Sequence, residues 1–234
     1  MYQRITHIHQ FLRQHAFYAL VLSSGLAGGL VVARVARSGH ITFIFLLWNL
    51  LLAWLPYLAS LWAASIQRRR PQAWWLLLLP GALWLLFFPN APYIVTDLVH
   101  LRERPMIPLW YDIGLLAAFM LSGCFLAVVS LHTMQTLVRH VAGGLLSWVF
   151  VLVASGLSGL GVYLGRVLRW NSWDIVLYPR AVLADAFGPL LDPRGNIAQL
   201  ALSGVFAAVL FVCYMLYLAA YQGGRMRAEA SNKA

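Results

Sequence analysis

Asn90, Tyr93, Asp97, His100 and Arg104 follow one another at spacings of three, four, three and four. On an α-helix those intervals put all five on one face, with Ile94, Leu98 and Leu101 on another. Residue type limits what such a face can do. His100 beside Asp97 can act as a general base whose tautomer the carboxylate fixes. The same pair can equally be a hydrogen bond that ties down a helix end. Asp97 and His100 can also face one cation, with Asp112, Asp174 or His132 completing the set. A catalytic zinc needs at least three protein ligands, and spacing supports only two. No metal and no cofactor is therefore assigned. His7, His9 and His15 resemble a ligand cluster but read more simply as a polar interfacial segment.

A second concentration of polar residues is Gly165-Arg166-Val167-Leu168-Arg169-Trp170-Asn171-Ser172-Trp173-Asp174. Arg166 and Arg169 are three apart and share a face. With Arg104 they suit an anionic group, because a guanidinium makes planar, bidentate contacts to phosphate. Trp170 and Trp173 suit the depth where an indole meets both lipid and a hydrogen-bond partner. Asp97 and His100 are thus the candidate catalytic residues. The candidate substrate-binding residues are Asn90, Tyr93, Arg104, Asp112, Arg166, Arg169, Asn171 and Asp174. The plainer alternative makes all of them ion pairs and caps that tie loops together. Nucleophilic hydrolysis has no G-x-S-x-G elbow to support it. There is no phosphate-cradling loop, and Gly159-Leu160-Gly161 lacks the context of a dinucleotide site.

These residues need elements to position them, and composition says which. Of the 234 residues, 62% are hydrophobic and only 10% are charged, against about a quarter charged in soluble domains. Lipid has to be the solvent. A helix needs ~20 mostly apolar residues to cross the hydrocarbon. Six runs qualify: residues 16–35, 41–66, 73–88, 113–133, 141–164 and 197–221. The expected fold is an all-α, polytopic transmembrane bundle forming one domain over residues 16–221. A polar leader precedes it (1–15) and a polar tail follows (222–234). The first run exceeds the ~7–15 residues of a signal-peptide core and is read as a span.

Pro89 and Pro92 end the third span, since each disfavours α geometry in the residue before it. Asn90 can then cap a short interfacial helix. Pro56 and Pro80 should kink their helices unless neighbours re-satisfy the freed carbonyls. Amphipathic segments around 178–190 should lie in the interface plane between spans five and six. Gly25 to Gly29 and Gly161 to Gly165 carry small-residue spacings that let neighbouring helices approach. Cys124 and Cys213 lie inside apolar runs and read as packing residues.

Six spans put the termini on one face and both polar concentrations, with Trp110-Tyr111-Asp112, on the other. The formal charge is +10, but the bases sit at span ends, where they meet anionic head groups. No basic surface is interleaved with exposed aromatics, so nucleic acid is not an expected partner. The terminal face carries nine bases and the other eight. Arg68-Arg69-Arg70 in a very short loop, and six of seven acids on the opposite side, tip the termini toward the cytoplasm.

The run from Phe87 to Leu101, with Trp110-Tyr111-Asp112, Tyr163-Leu164-Gly165-Arg166 and Arg169-Trp170-Asn171-Ser172-Trp173-Asp174, resembles a bacterial membrane family. That family is domain of unknown function 1361 (DUF1361), and the resemblance covers about Trp48 to Tyr217. It implies a multi-pass protein of the bacterial cytoplasmic membrane and brings no activity with it. The expectation is a polar site on the non-cytoplasmic face that binds or modifies an amphiphile with an anionic head group, a lipid or lipid-linked molecule. The alternatives are a small transporter gated by the broken third span, and an assembly subunit with no small-molecule site.

Overall fold

The computed structural model describes residues 2–231, with the side chains of 2–5, 8 and 225–231 outside the description. The polar tail expected at 222–234 therefore lies largely outside the described side chains, as do Arg4, Arg225, Arg227 and Lys233. The helices are α1 (Tyr2–Gln14), α2 (Phe17–Ser38), α3 (Phe45–Arg69), α4 (Leu78–Phe87), α5 (Asn90–Tyr93), α6 (Leu109–Ala142), α7 (Gly144–Arg166), α8 (Asp174–Leu177), α9 (Pro179–Leu191) and α10 (Ile197–Ser231). Two 3-10 segments, Trp74–Leu77 and Ile94–His100, flank α4 and α5. Six stretches are long and apolar enough to cross a membrane: α2, α3, Trp74–His100, α6, α7 and Ile197–Gly224. Outward-facing Leu22, Leu78, Leu145, Leu152 and Leu216 are all more than half exposed. Such a surface is stable only against lipid.

The core forms around α6, which packs against α2, α3, α7 and α10. Leu115, Leu116, Phe119, Leu126 and Leu131 of α6 are fully buried, as are Leu46, Ala53 and Tyr57 of α3. The 34 residues of α6 span about 51 Å at ~1.5 Å per residue, well beyond the expected 113–133. Apolar composition marks only the middle. The helix continues past His132 and Arg139 because nothing breaks it before Gly143, whose φ of 90° allows the turn straight into α7.

Two prolines behave as their positions dictate. Pro56 is buried inside an unbroken α3. Pro80 falls in the first turn of α4, after the 3-10 segment, where no helical N–H partner is lost.

The third span is broken at Pro89, and glycines on two neighbours seat the break. A Cβ on Gly123 of α6 would lie 2.6 Å from the Ala91 carbonyl oxygen, and one on Gly161 of α7 would lie 2.6 Å from Pro89 carbons. Gly165 similarly faces the Tyr93 ring at 3.3 Å. The expected close approach thus exists at 161–165. At Gly25 and Gly29 a Cβ would meet nothing within 4 Å.

Candidate functional site

Past the break, the chain was expected to continue as one α-helix carrying Asn90 to Arg104. It instead runs as α5 for one turn and then tightens to 3-10 geometry over Ile94–His100. Leu101 is extended, and Arg104 sits in a turn closed by a bridge to Ile107. Three residues per turn bring Asp97 and His100 into line, while Arg104 leaves that face. Nor does Asn90 cap the helix. Its amide nitrogen donates back to the Phe87 carbonyl (3.0 Å) and across to Ser172 Oγ (2.9 Å), joining the break to the loop after α7.

The polar residues separate into two centres. In the first, Asp97 is 2% exposed and accepts a 2.8 Å hydrogen bond from Asn49 Nδ2 of α3. Its other oxygen is 3.6 Å from Arg166 Nη1. The same Nη1 lies 3.5 Å from Tyr93 Oη, and Arg166 Nη2 lies 3.3 Å from His100 Nε2. A guanidinium only donates, so His100 Nε2 accepts and its proton resides on Nδ1. Arg166 stands between Asp97 and His100. Among the described residues these two share no direct hydrogen bond.

In the second centre, Asp112 receives Arg34 Nε at 2.7 Å and Arg34 Nη2 at 3.1 Å, with Arg104 Nη1 at 3.4 Å. Both guanidinium carbons are 4.7 Å from the Phe43 ring centroid. Arg104 also donates to the His100 carbonyl at 3.2 Å. Arg34 and Asp112 are 2% and 1% exposed. This is a buried clasp among α2, the turn before α3 and the first turn of α6, where a carboxylate also favours the helix N-terminus. Asp174 belongs to neither centre. Its Oδ2 accepts from the Asn171 backbone N–H (2.6 Å) and side-chain amide (3.2 Å), tightening the loop that starts α8.

Beside the first centre is a partly open cavity of about 800 Å³ bordered by α3, α4, the break, α7, α8 and α9. Its mouth carries Asn49, Asn90, Tyr93, Arg166, Arg169, Asn171 and Ser172, and its body is Leu52, Ala82, Leu85, Leu86, Ala154, Leu157 and Leu160. Val182, Leu183, Ala186 and Phe187 of α9 close one side. A 2.8 Å hydrogen bond from Trp170 Nε1 to Asp185 Oδ2 holds α9 there. Arg169 is exposed and adopts a φ of 62°, a left-handed conformation rare outside glycine.

Of the ten residues singled out from sequence, Asn90, Tyr93, Arg166, Arg169 and Asn171 line the cavity. Asp97 and His100 stand behind Arg166, and Arg104, Asp112 and Asp174 serve the clasp and the loop. Asn49 and Arg34 escaped notice as partners. A lone amide inside Phe45-Leu46-Leu47-Trp48-Asn49-Leu50 was the available signal, since a polar group in a span needs a partner. For Arg34 the signal was its place inside the first apolar run. No three His, Cys, Asp or Glu side chains gather into a metal-sized group among the described residues.

No curated protein and no solved structure matches the chain. The model of one family, described as a protein of unknown function, DUF1361, matches residues 48–218. That stretch contains the whole cavity, the broken third span and Asp97, Asp112 and Arg166, so this membrane protein belongs to the DUF1361 family.

Proposed function

We propose that this protein binds an amphiphile carrying an anionic head group, at the membrane face opposite its termini, which we take as the non-cytoplasmic one. The observation that carries this reading is the cavity's two-part lining. Its mouth is rich in hydrogen-bond donors and its body is apolar except for Ser158. Ligand sites are built this way, with a few placed polar groups above a hydrophobic enclosure.

The looseness of Arg166 supports it further. Charge-assisted hydrogen bonds normally measure about 2.7–2.9 Å. Those of Arg34 approach that, whereas every contact of Arg166 is 3.3 Å or longer. Arg166 is held in place with binding capacity unspent, and it borders the cavity. Asp97 and His100 act in this reading as positioning residues for that guanidinium. A carrier finds less support, because no described residue lining the cavity body is ionisable.

Native mass spectrometry of protein gently extracted from its own membrane tests the proposal. Wild type should retain a lipid or lipid-linked molecule, and Arg166→Ala should lose it while remaining folded. A bare mass for wild type, or one carrying only a partner subunit, would end this reading in favour of transport or assembly.

A further inference from the structure

We infer that the amphiphile is a phosphate-bearing lipid of the leaflet opposite the termini, its chain lying along α7 through the depth of that leaflet. This rests on the binding reading above and specifies both the head and the tail.

The head follows from the donors. Arg166 and Arg169 are both cavity residues, and Arg169 makes no ion pair among the described residues. Ser172 accepts from Asn90, which leaves its own hydroxyl hydrogen to donate. Asp97 is shielded behind Arg166, and among the described residues no carboxylate lines the cavity. Two guanidinium forks and a hydroxyl around one mouth suit a group with several acceptor oxygens and at least one negative charge. Phosphate offers that match, and Arg is the side chain best shaped for it.

The tail follows from length and access. The cavity follows α7 from Arg166 down to Ala154, which is about 18 Å of helix at ~1.5 Å per residue. One leaflet of hydrocarbon is ~15 Å, half of the ~30 Å core. Cavity depth and leaflet depth agree. Leu85, Leu157, Leu183 and Phe187 line the cavity yet are each about two-fifths exposed or more. These side chains of α4, α7 and α9 are left uncovered by protein, and in this proposal the chain enters between them without its head leaving the interface. A free phosphate would use only the mouth and leave the apolar body wet.

Binding of dioleoyl phosphatidate, dihexanoyl phosphatidate, dioleoylglycerol and inorganic phosphate to the purified full chain in detergent tests this. Wild type should bind the dioleoyl phosphatidate at least about tenfold more tightly than the dihexanoyl form at equal mole fraction in the micelle, because the long chain packs along the whole body and the six-carbon chain leaves its depth unfilled. Ala82→Trp, filling the body from an exposed position, should weaken the dioleoyl form about tenfold or more and leave the dihexanoyl form unchanged. Leu157→Trp provides the same test from the opposite wall. Equal binding of dioleoylglycerol would overturn the phosphate assignment. Equal binding of the two phosphatidates to wild type, or of inorganic phosphate alone, would overturn the chain assignment. In each case the retained lipid of native extracts would still stand for the broader reading. Only its absence removes both.

Discussion

Arg34 meets Asp112 edge-on, through Nε to Oδ1 at 2.7 Å and Nη2 to Oδ2 at 3.1 Å, with both side chains almost wholly buried. Two charges so placed are costly to bring in and costlier to separate. Asp112→Ala should destabilise the protein by about 3–5 kcal/mol, because an uncompensated guanidinium would remain in the interior. Thermal unfolding in detergent reads this directly. The double variant Arg34→Met, Asp112→Leu should recover much of the loss. If it unfolds as early as the single variant, the clasp is more than a charge pair.

A carboxylate that is 2% exposed needs its hydrogen bonds, and Asn49 supplies the one short bond to Asp97. Asn49→Leu should cost about 1–3 kcal/mol by stranding that oxygen. It should also weaken retention of lipid, by freeing Asp97 to draw Arg166 off the mouth. Asn49→Gln, able to donate again, should restore retention in part. Loss of stability with lipid retention intact would confine Asn49 to a structural role.

The glycines that seat the broken span separate from those that do not. Gly123→Ala and Gly161→Ala each push a methyl into backbone or ring carbons of Pro89 and Ala91. Overpacking of this kind costs about 1–3 kcal/mol. Gly25→Ala and Gly156→Ala meet open space inside helices and should be neutral or stabilising by up to about 1 kcal/mol. Melting temperatures of the four variants check the ordering. A harmless Gly161→Ala would mean that the break is not held where the structure has it.

At the other face, His15 sits between α1 and α2 and hydrogen-bonds the Phe11 carbonyl through Nδ1 at 2.8 Å. Burial holds its imidazole below the ordinary value near 6.5, against the raising effect of that hydrogen bond, and Arg68 adds to the lowering. The folded state thus binds this proton less readily than the unfolded state. Its contribution to stability is complete above pH ~6.5 and is lost as pH falls through the lower, folded value. Protection factors for amide exchange over residues 11–20, with the intrinsic pH dependence of exchange divided out, should fall on acidification in wild type and hold steady in His15→Asn. An unchanged pH dependence in the variant would assign the effect elsewhere.

The spans were legible because the demand is simple. An apolar run long enough to cross lipid can hardly do anything else, and each of the six expected runs overlaps a long apolar helix. The polar residues of 90–104 and 166–174 stood out for the converse reason, since charge near lipid is expensive. What stayed hidden depended on partners far apart in sequence. The intervals from Asn90 to Arg104 fit an α-helix, but packing of Ile94 and Ala91 against Gly123 accompanies a tighter coil. Which carboxylate would meet which arginine could not be read from proximity, because Asp112 takes Arg34 from a different span. The cavity was equally invisible, being a space between α4, α7 and α9 that no single segment encodes.

Gly143 is all that separates α6 from α7, and this has a mechanical consequence. Two long helices joined by one residue cannot slide far along each other, and their packing against one another makes them move together as a strut. The strut carries one wall of the cavity and Gly123, Gly161 and Gly165, the three glycines that face the broken span. Breathing of the cavity must therefore come from the pieces set against it, α4 and α9. Both are short, α4 ending at the break and α9 at the turn over 192–196, and both carry exposed side chains that line the cavity.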